Sequence, residues 1–253
     1  MSYFRDGPIH RSVDEFISFR EVRERFGFRA IKIGRWVTEE EQQRAALNFY
    51  DALCDLQVIL QVPASVISLR GSLALHYGTG GRPGVAAHYS PLEQTFALAK
   101  NAGPGSIAHE WFHAFDHYIA HKFFRSCAAL DFASALWVSS RDIIHHPLNQ
   151  CLSEFFHAVL LSDDGEGPSD LFQYSKQYDH SQAQVYYAKP EELCARAFEA
   201  YIEDAKIKNS FLVRGTINSQ EAKIGLYPRY KQRANINKAA HHYFTALGAA
   251  LMT

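Results

Sequence analysis

Between residues 106 and 124 the chain reads SIAHEWFHAFDHYIAHKFF. His109, His113, His117 and His121 recur every four residues, and Ala108, Phe112, Phe115 and Ile119 recur at three- and four-residue intervals beside them. Such spacing makes faces only on a helix, where residues three and four apart lie one above another. The segment predicts a helix over roughly 107–121, with Ser106 as its N-cap. Its apolar stripe would dock in a core and turn the histidines toward a cleft.

The flanking sequence predicts what that helix packs against. Ser12 with Glu15 reads as a capping box before a short helix, FISFREVRERF, that ends at Gly27. Thr38 with Glu41 is a second capping box, opening a helix over roughly 39–56. The period then shortens. Residues 28–33, 65–77, 84–89 and 93–100 read as strands, with Ser90-Pro91 as a turn and 78–84 as a loop. Two helices are expected within 127–162, broken near His146-Pro147. A loop spans 163–170, a helix runs from Pro190 to about 206, and the tail from Pro228 is mostly helical. The fold class is α+β: one helix-rich domain over 1–253, with a small mixed sheet packed on the central helix. Residues 1–37 form an N-terminal helix-and-strand extension of a 38–253 core.

Composition narrows the function classes. Twenty-six basic and 27 acidic residues leave a formal charge of -1, which gives no electrostatic case for nucleic acid or an anionic membrane as partner. Four cysteines, none in a CxxC pair, fit free thiols rather than a disulfide framework. No signal-like h-region and no stretch of ~20 apolar residues is present, so a cytoplasmic protein is expected. The acidic loop 163–170 lacks EF-hand spacing, which speaks against calcium.

His109-Glu110-Trp111-Phe112-His113 is an HExxH motif. Two imidazoles four residues apart can converge on one Zn²⁺ at about 2.0–2.1 Å. Glu110, rotated to the side, can reach a metal-bound water without binding the metal, as a general base must. His117 is excluded as a third ligand to the same ion, because eight helical residues span about 12 Å. With His121 it reads as a supporting or exposed residue. The third ligand should come from another helix, and in PEELCARAFEAYIED the residues Glu192, Glu199 and Glu203 lie near one face.

HEWFHAFDHY followed by ExxARAFEAY resembles the gluzincin metallopeptidases, above all the anthrax lethal factor-like pattern. The wider context, from ISLRGSLALHYGTGG to YYAKPEELCARAFEAY, resembles the bacterial and phage-associated large polyvalent protein-associated domain, including the short CLCA_X proteins, over roughly 30–250. The resemblance implies a zincin-like fold. It implies a Zn²⁺ held by His109, His113 and Glu192, with Glu110 as base and a peptide or protein as substrate. It also implies a tyrosine upstream of the ligand helix that stabilises the oxyanion, a role falling on the pair Tyr186 and Tyr187. The family's acidic residue four after the ligand glutamate is Arg196 here, so the task of steadying a ligand histidine passes to Asp116 or Glu199. The 84–100 hairpin is expected to hold an extended substrate by strand addition, with His76 and His88 toward the cleft. The alternative is a non-catalytic protein of a mobile-element-associated family. A structural zinc would then be closed by a fourth protein ligand, whereas a catalytic one keeps an open position.

Overall fold

The computed structural model describes residues 3–12, 15–79, 87–100, 105–139 and 141–252. In chain order the elements are β1 (Arg5–Asp6), α1 (Phe19–Phe26), β2 (Ile31–Ile33), α2 (Glu39–Leu60), α3 (Ala64–Ile67), β3 (Ala74–Tyr77), β4 (Ala87–Ser90), β5 (Thr95–Leu98), α4 (Ile107–Phe123) and α5 (Ala133–Trp137). They continue with α6 (Pro147–Leu160), α7 (Asp170–Ser181), α8 (Pro190–Asp204), β6 (Lys208–Asn209), α9 (Gln220–Lys223) and α10 (Tyr230–Met252). This is the expected helix-rich α+β domain.

Local chemistry explains most boundaries. Thr38 and Glu41 form the expected capping box on α2, and Gly27 closes α1 in the left-handed region at φ 73°. The start of α1 differs from expectation. Glu15 does bond the Ser12 amide, at 3.0 Å, but the helix begins only at Phe19, under a capping box of Ser18 and Glu21. The expected strand 65–77 is also corrected. Its first part is α3, followed by a turn in which Leu69, Arg70 and Gly71 are all left-handed, and only Ala74–Tyr77 is strand. A short apolar run suits either a strand or a buried turn, and periodicity does not separate them.

The sheet order is β2-β3-β5-β4, with β2, β3 and β5 parallel and β4 antiparallel at the end. Residues 80–86 of the expected loop and first hairpin strand lie outside the described residues. Leu75, Phe96 and Tyr89 stand in register on one face, which packs on α4. The N-terminal 37 residues are not peripheral to this core, since β2 belongs to the sheet and Ile17, Val22 and Phe26 are buried in the main cluster.

Behind the sheet, α4, α6, α8 and α10 form the helical layer. Trp111 stacks between Phe115 and Phe198 and donates its indole N–H to the Ile67 carbonyl at 2.9 Å. Helix α10 crosses the end of α2 so closely that a Cβ on Gly248 would lie 2.0 Å from the Gln61 carbonyl oxygen. Two carboxylates, Asp55 buried and Glu203 partly buried, tie distant segments together. Asp55 accepts from Arg5, His10 and Asn209, fixing the N-terminus and β6 to α2. Glu203 accepts from the amides of Gly215 and Thr216, which assigns it to loop bracing and away from any metal.

Candidate metal centre

The site begins where α4 begins. Ser106 occupies the N-cap position, but its hydroxyl makes no capping bond and is buried without a partner, contrary to expectation. The helix start is held by backbone instead: Gly105 and Ala108 donate to the carbonyls of Phe211 and Leu212. Gly105 has φ 103°, and a Cβ there would lie 2.8 Å from Arg214 Cγ, so glycine permits this close approach.

One turn on, the two histidines of the motif face α8. His109 Nε2 and His113 Nε2 are 3.0 Å apart, and each lies 3.4 Å from an oxygen of Glu192. Among the described residues these three form the only group of its kind, with all ligand atoms within 4.8 Å of one another. A tetrahedral ion with bonds of about 2.0–2.1 Å places its ligand atoms about 3.3–3.4 Å apart, so the observed separations fit a single small cation. The electrostatics agree. His109 Nδ1 is 2.9 Å from Glu199, which fixes the proton on that nitrogen and leaves Nε2 as a lone pair. Lone pairs of two imidazoles and a carboxylate cannot meet in a buried space unless a proton or a metal ion sits between them.

The apoprotein's pKa shifts express the same convergence. Burial alone would lower the pKa of His109, but the charge of Glu199 and hydrogen bonds with Glu192 and Glu199 hold it well above the ordinary imidazole value. Burial opposes ionisation of Glu192, yet hydrogen bonds with His109 and His113 hold it well below the ordinary carboxylate value.

Around this group the predicted residues divide. Glu199 sits behind His109 and receives a second hydrogen bond from the Tyr227 hydroxyl, at 3.2 Å. Asp116 does not reach a histidine. It accepts from the backbone and hydroxyl of Ser134, joining α4 to α5, and burial pushes its pKa up to about 7. His113 Nδ1 is consequently buried with no hydrogen-bond partner. Glu110 is buried, and no hydrogen bond or ion pair among the described residues engages its carboxylate.

His117 is neither exposed nor beside the metal group. Its Nε2–H donates to the Ala129 carbonyl and its Nδ1 accepts from Tyr89, which ties α4 to β4. His121 is exposed and contacts Cys127. Because Tyr89 points to α4, its neighbour His88 and the registered His76 lie on the opposite sheet face, so neither faces the cleft.

Tyr186 and Tyr187 both line a cleft of about 370 Å³ with His109, Glu192 and Glu199. Their positions are set by Asp179 at the end of α7, whose carboxylate accepts from the amides of Tyr186, Tyr187 and Ala188 at 2.8–3.0 Å. Arg196, one turn after Glu192, is buried and donates to the carbonyls of Tyr187 and Leu226. Burial and the nearby charge of Glu192 raise the Tyr186 phenol well above its ordinary value. For Tyr187, burial and Tyr178 raise it. Sequence reasoning missed Tyr227, Asp179 and Ser134, which sit in or beside irregular segments and carry no periodic signal. Arg214 and Glu221 also line the cleft.

Comparison with known proteins gives one match. The family model of the large polyvalent protein-associated domain 1 matches residues 178–251. That span holds Glu192, Glu199 and Tyr227 and stops short of the HExxH helix, so the likeness is shorter than the 30–250 expected. No curated protein and no solved structure matches the chain. Among the described residues no helix is long and apolar enough to cross a membrane. Residues 178–251 are thus similar to the large polyvalent protein-associated domain 1, over less than half of the chain.

Proposed function

We propose that the protein is a zinc-dependent metallopeptidase of zincin-like architecture. The observation that carries this reading is the convergence of His109, His113 and Glu192, with Glu199 behind His109 and an unengaged Glu110 one residue along the helix. Two neutral imidazoles and one carboxylate suit zinc and leave it a net positive charge. No fourth His, Cys, Asp or Glu joins the group among the described residues, which favours a catalytic over a structural site.

A bound zinc would supply Lewis acidity and an acidified water. The chain's own residues supply the rest. Glu110 takes the proton of the attacking water on a carboxylate oxygen and passes it to the leaving amine nitrogen. Tyr186 or Tyr187 donates its phenolic O–H to the carbonyl oxygen as charge develops there. The charge of Glu192 acts on both phenols, and that of Glu110 acts on Tyr186. Arg196 and Asp179 keep the tyrosine loop in position. The end strand β4, antiparallel to the rest of its sheet and in contact with α4, offers an edge on which an extended peptide can add as a further strand.

The test is cleavage of a peptide library by zinc-loaded protein. Wild type is expected to cleave, and Glu110→Gln to lose about 10²–10⁴-fold in kcat while keeping its metal. Equal rates from both proteins would remove Glu110 from the chemistry.

A further inference from the structure

On the far side of α4 from the metal group lies a second cleft, of about 290 Å³. At 3.6 residues per turn, Phe115, Tyr118, Ile119 and Lys122 leave the helix on average about 150° around from His109 and His113. They form the cleft wall with Leu148 of α6 and with Tyr243, Leu247 and Leu251 of α10. Three features make this more than a bare apolar face.

The first is charge. Arg70 and Lys122 line the cleft, no carboxylate does, and among the described residues neither cation has an acidic partner. In a chain whose formal charge is -1, two such cations at one apolar cleft are a local departure. The Lys122 ammonium stands 4.5 Å from the Tyr118 ring centroid, against the cleft wall.

The second is an unanswered hydroxyl. Tyr243 is 2% exposed, and no hydrogen bond to its phenol is made among the described residues. That hydroxyl is not sealed from solvent, so it can donate to an acceptor that enters the cleft.

The third is backbone. Leu69 and Arg70 hold φ of 53° and 58°, which non-glycine residues adopt at a cost, and Gly71 follows at 81°. The turn is secured by Arg70 N–H to the Ser65 carbonyl at 2.7 Å and Gly71 N–H to the Ser68 carbonyl at 3.1 Å. It brings Leu69 and Arg70 together to the cleft.

We propose that this cleft binds a single-chain amphiphilic anion, of the fatty-acid class. The chain would lie against Phe115, Ile119 and Leu247, and the head group would be paired by Arg70 and Lys122. Size favours a small occupant, since the volume is at the lower end for ligand sites.

The test is calorimetric titration of the full chain with dodecanoate below its micellar concentration. Dodecyltrimethylammonium, with the same tail and opposite charge, is the control. One dodecanoate per chain is expected, with the cationic amphiphile bound at least about tenfold more weakly. The double variant Arg70→Ala/Lys122→Ala, altered only at exposed side chains, is expected to weaken dodecanoate about tenfold or more. Leu247→Trp, which fills the cleft, is expected to abolish binding at unchanged helix content. Equal binding of both amphiphiles, or dodecanoate binding indifferent to the double variant, would overturn the proposal. Binding to anionic lipid vesicles without binding to free dodecanoate would assign the face to a membrane surface. A dimer dispersed by Leu247→Trp, with no dodecanoate bound, would assign it to a second copy. Either result would also overturn the proposal.

Discussion

His109 shows how one side chain can be prepared to bind a metal ion. Its Nδ1 meets Glu199, its Nε2 meets His113 and Glu192, and Tyr227 steadies Glu199 in turn. Supporting carboxylates of this kind fix ring orientation and raise ligand basicity. Glu199→Ala is therefore expected to weaken zinc about 10–100-fold by competition with a chromogenic chelator. Tyr227→Phe keeps the Glu199–His109 bond and should cost less. Equal affinity in Glu199→Ala and wild type would show that His109 needs no such partner. At this scale much was legible. The HExxH spacing picked out His109, Glu110 and His113, and resemblance picked out Glu192. The role of Glu199 was not decided by sequence, because a glutamate on a helix face reads equally as solvated. Asp116 was wrongly weighed for the same role. Three residues past His113 it shares a helix face with that histidine, and only the fold reveals that Ser134 claims it.

At the scale of elements, the site depends on how loops are pinned to α8. Asp179 gathers three amides, and Arg196 grips the carbonyls of Tyr187 and Leu226. Removing Arg196 leaves buried carbonyls unpaired, at about 1–3 kcal/mol each. Arg196→Met is expected to lower unfolding stability by about 2–5 kcal/mol and to lower kcat through the displaced tyrosines. Chemical denaturation and a peptide assay check the two effects. The α4–α5 junction gives a pH prediction. Burial raises the Asp116 pKa from its ordinary 3.8 to about 7. A carboxyl with a raised folded-state pKa contributes stability below its unfolded pKa, and that contribution is lost as pH rises through about 7. In metal-free protein, the Tm of Asp116→Asn relative to wild type should therefore improve by about 3 °C or more between pH 5 and pH 8. No change in that difference would mean the carboxyl is not strained by burial. Long amphipathic elements such as α2, α4, α8 and α10 were legible because their periods persist for several turns. The α3 turn, α7 and α9 were not, since they rest on local hydrogen bonds and short polar segments.

For the whole molecule, the metal group joins α4, which packs on the sheet, to α8, which packs on α10. An ion bound there would cross-link the two halves and stabilise the native state by mass action. Zinc at about 1,000 times its Kd contributes about 4 kcal/mol, which raises Tm by about 8–16 °C in a chain of this size. A chelator should reverse the shift, and His113→Ala should show none.

The most direct test is the metal content of purified protein, measured by elemental analysis in wild type and in His113→Ala. About one zinc per wild-type chain, lost in the variant, is the predicted result. Wild-type protein that holds no metal even after zinc is supplied would contradict the account and leave the HExxH helix as packing alone.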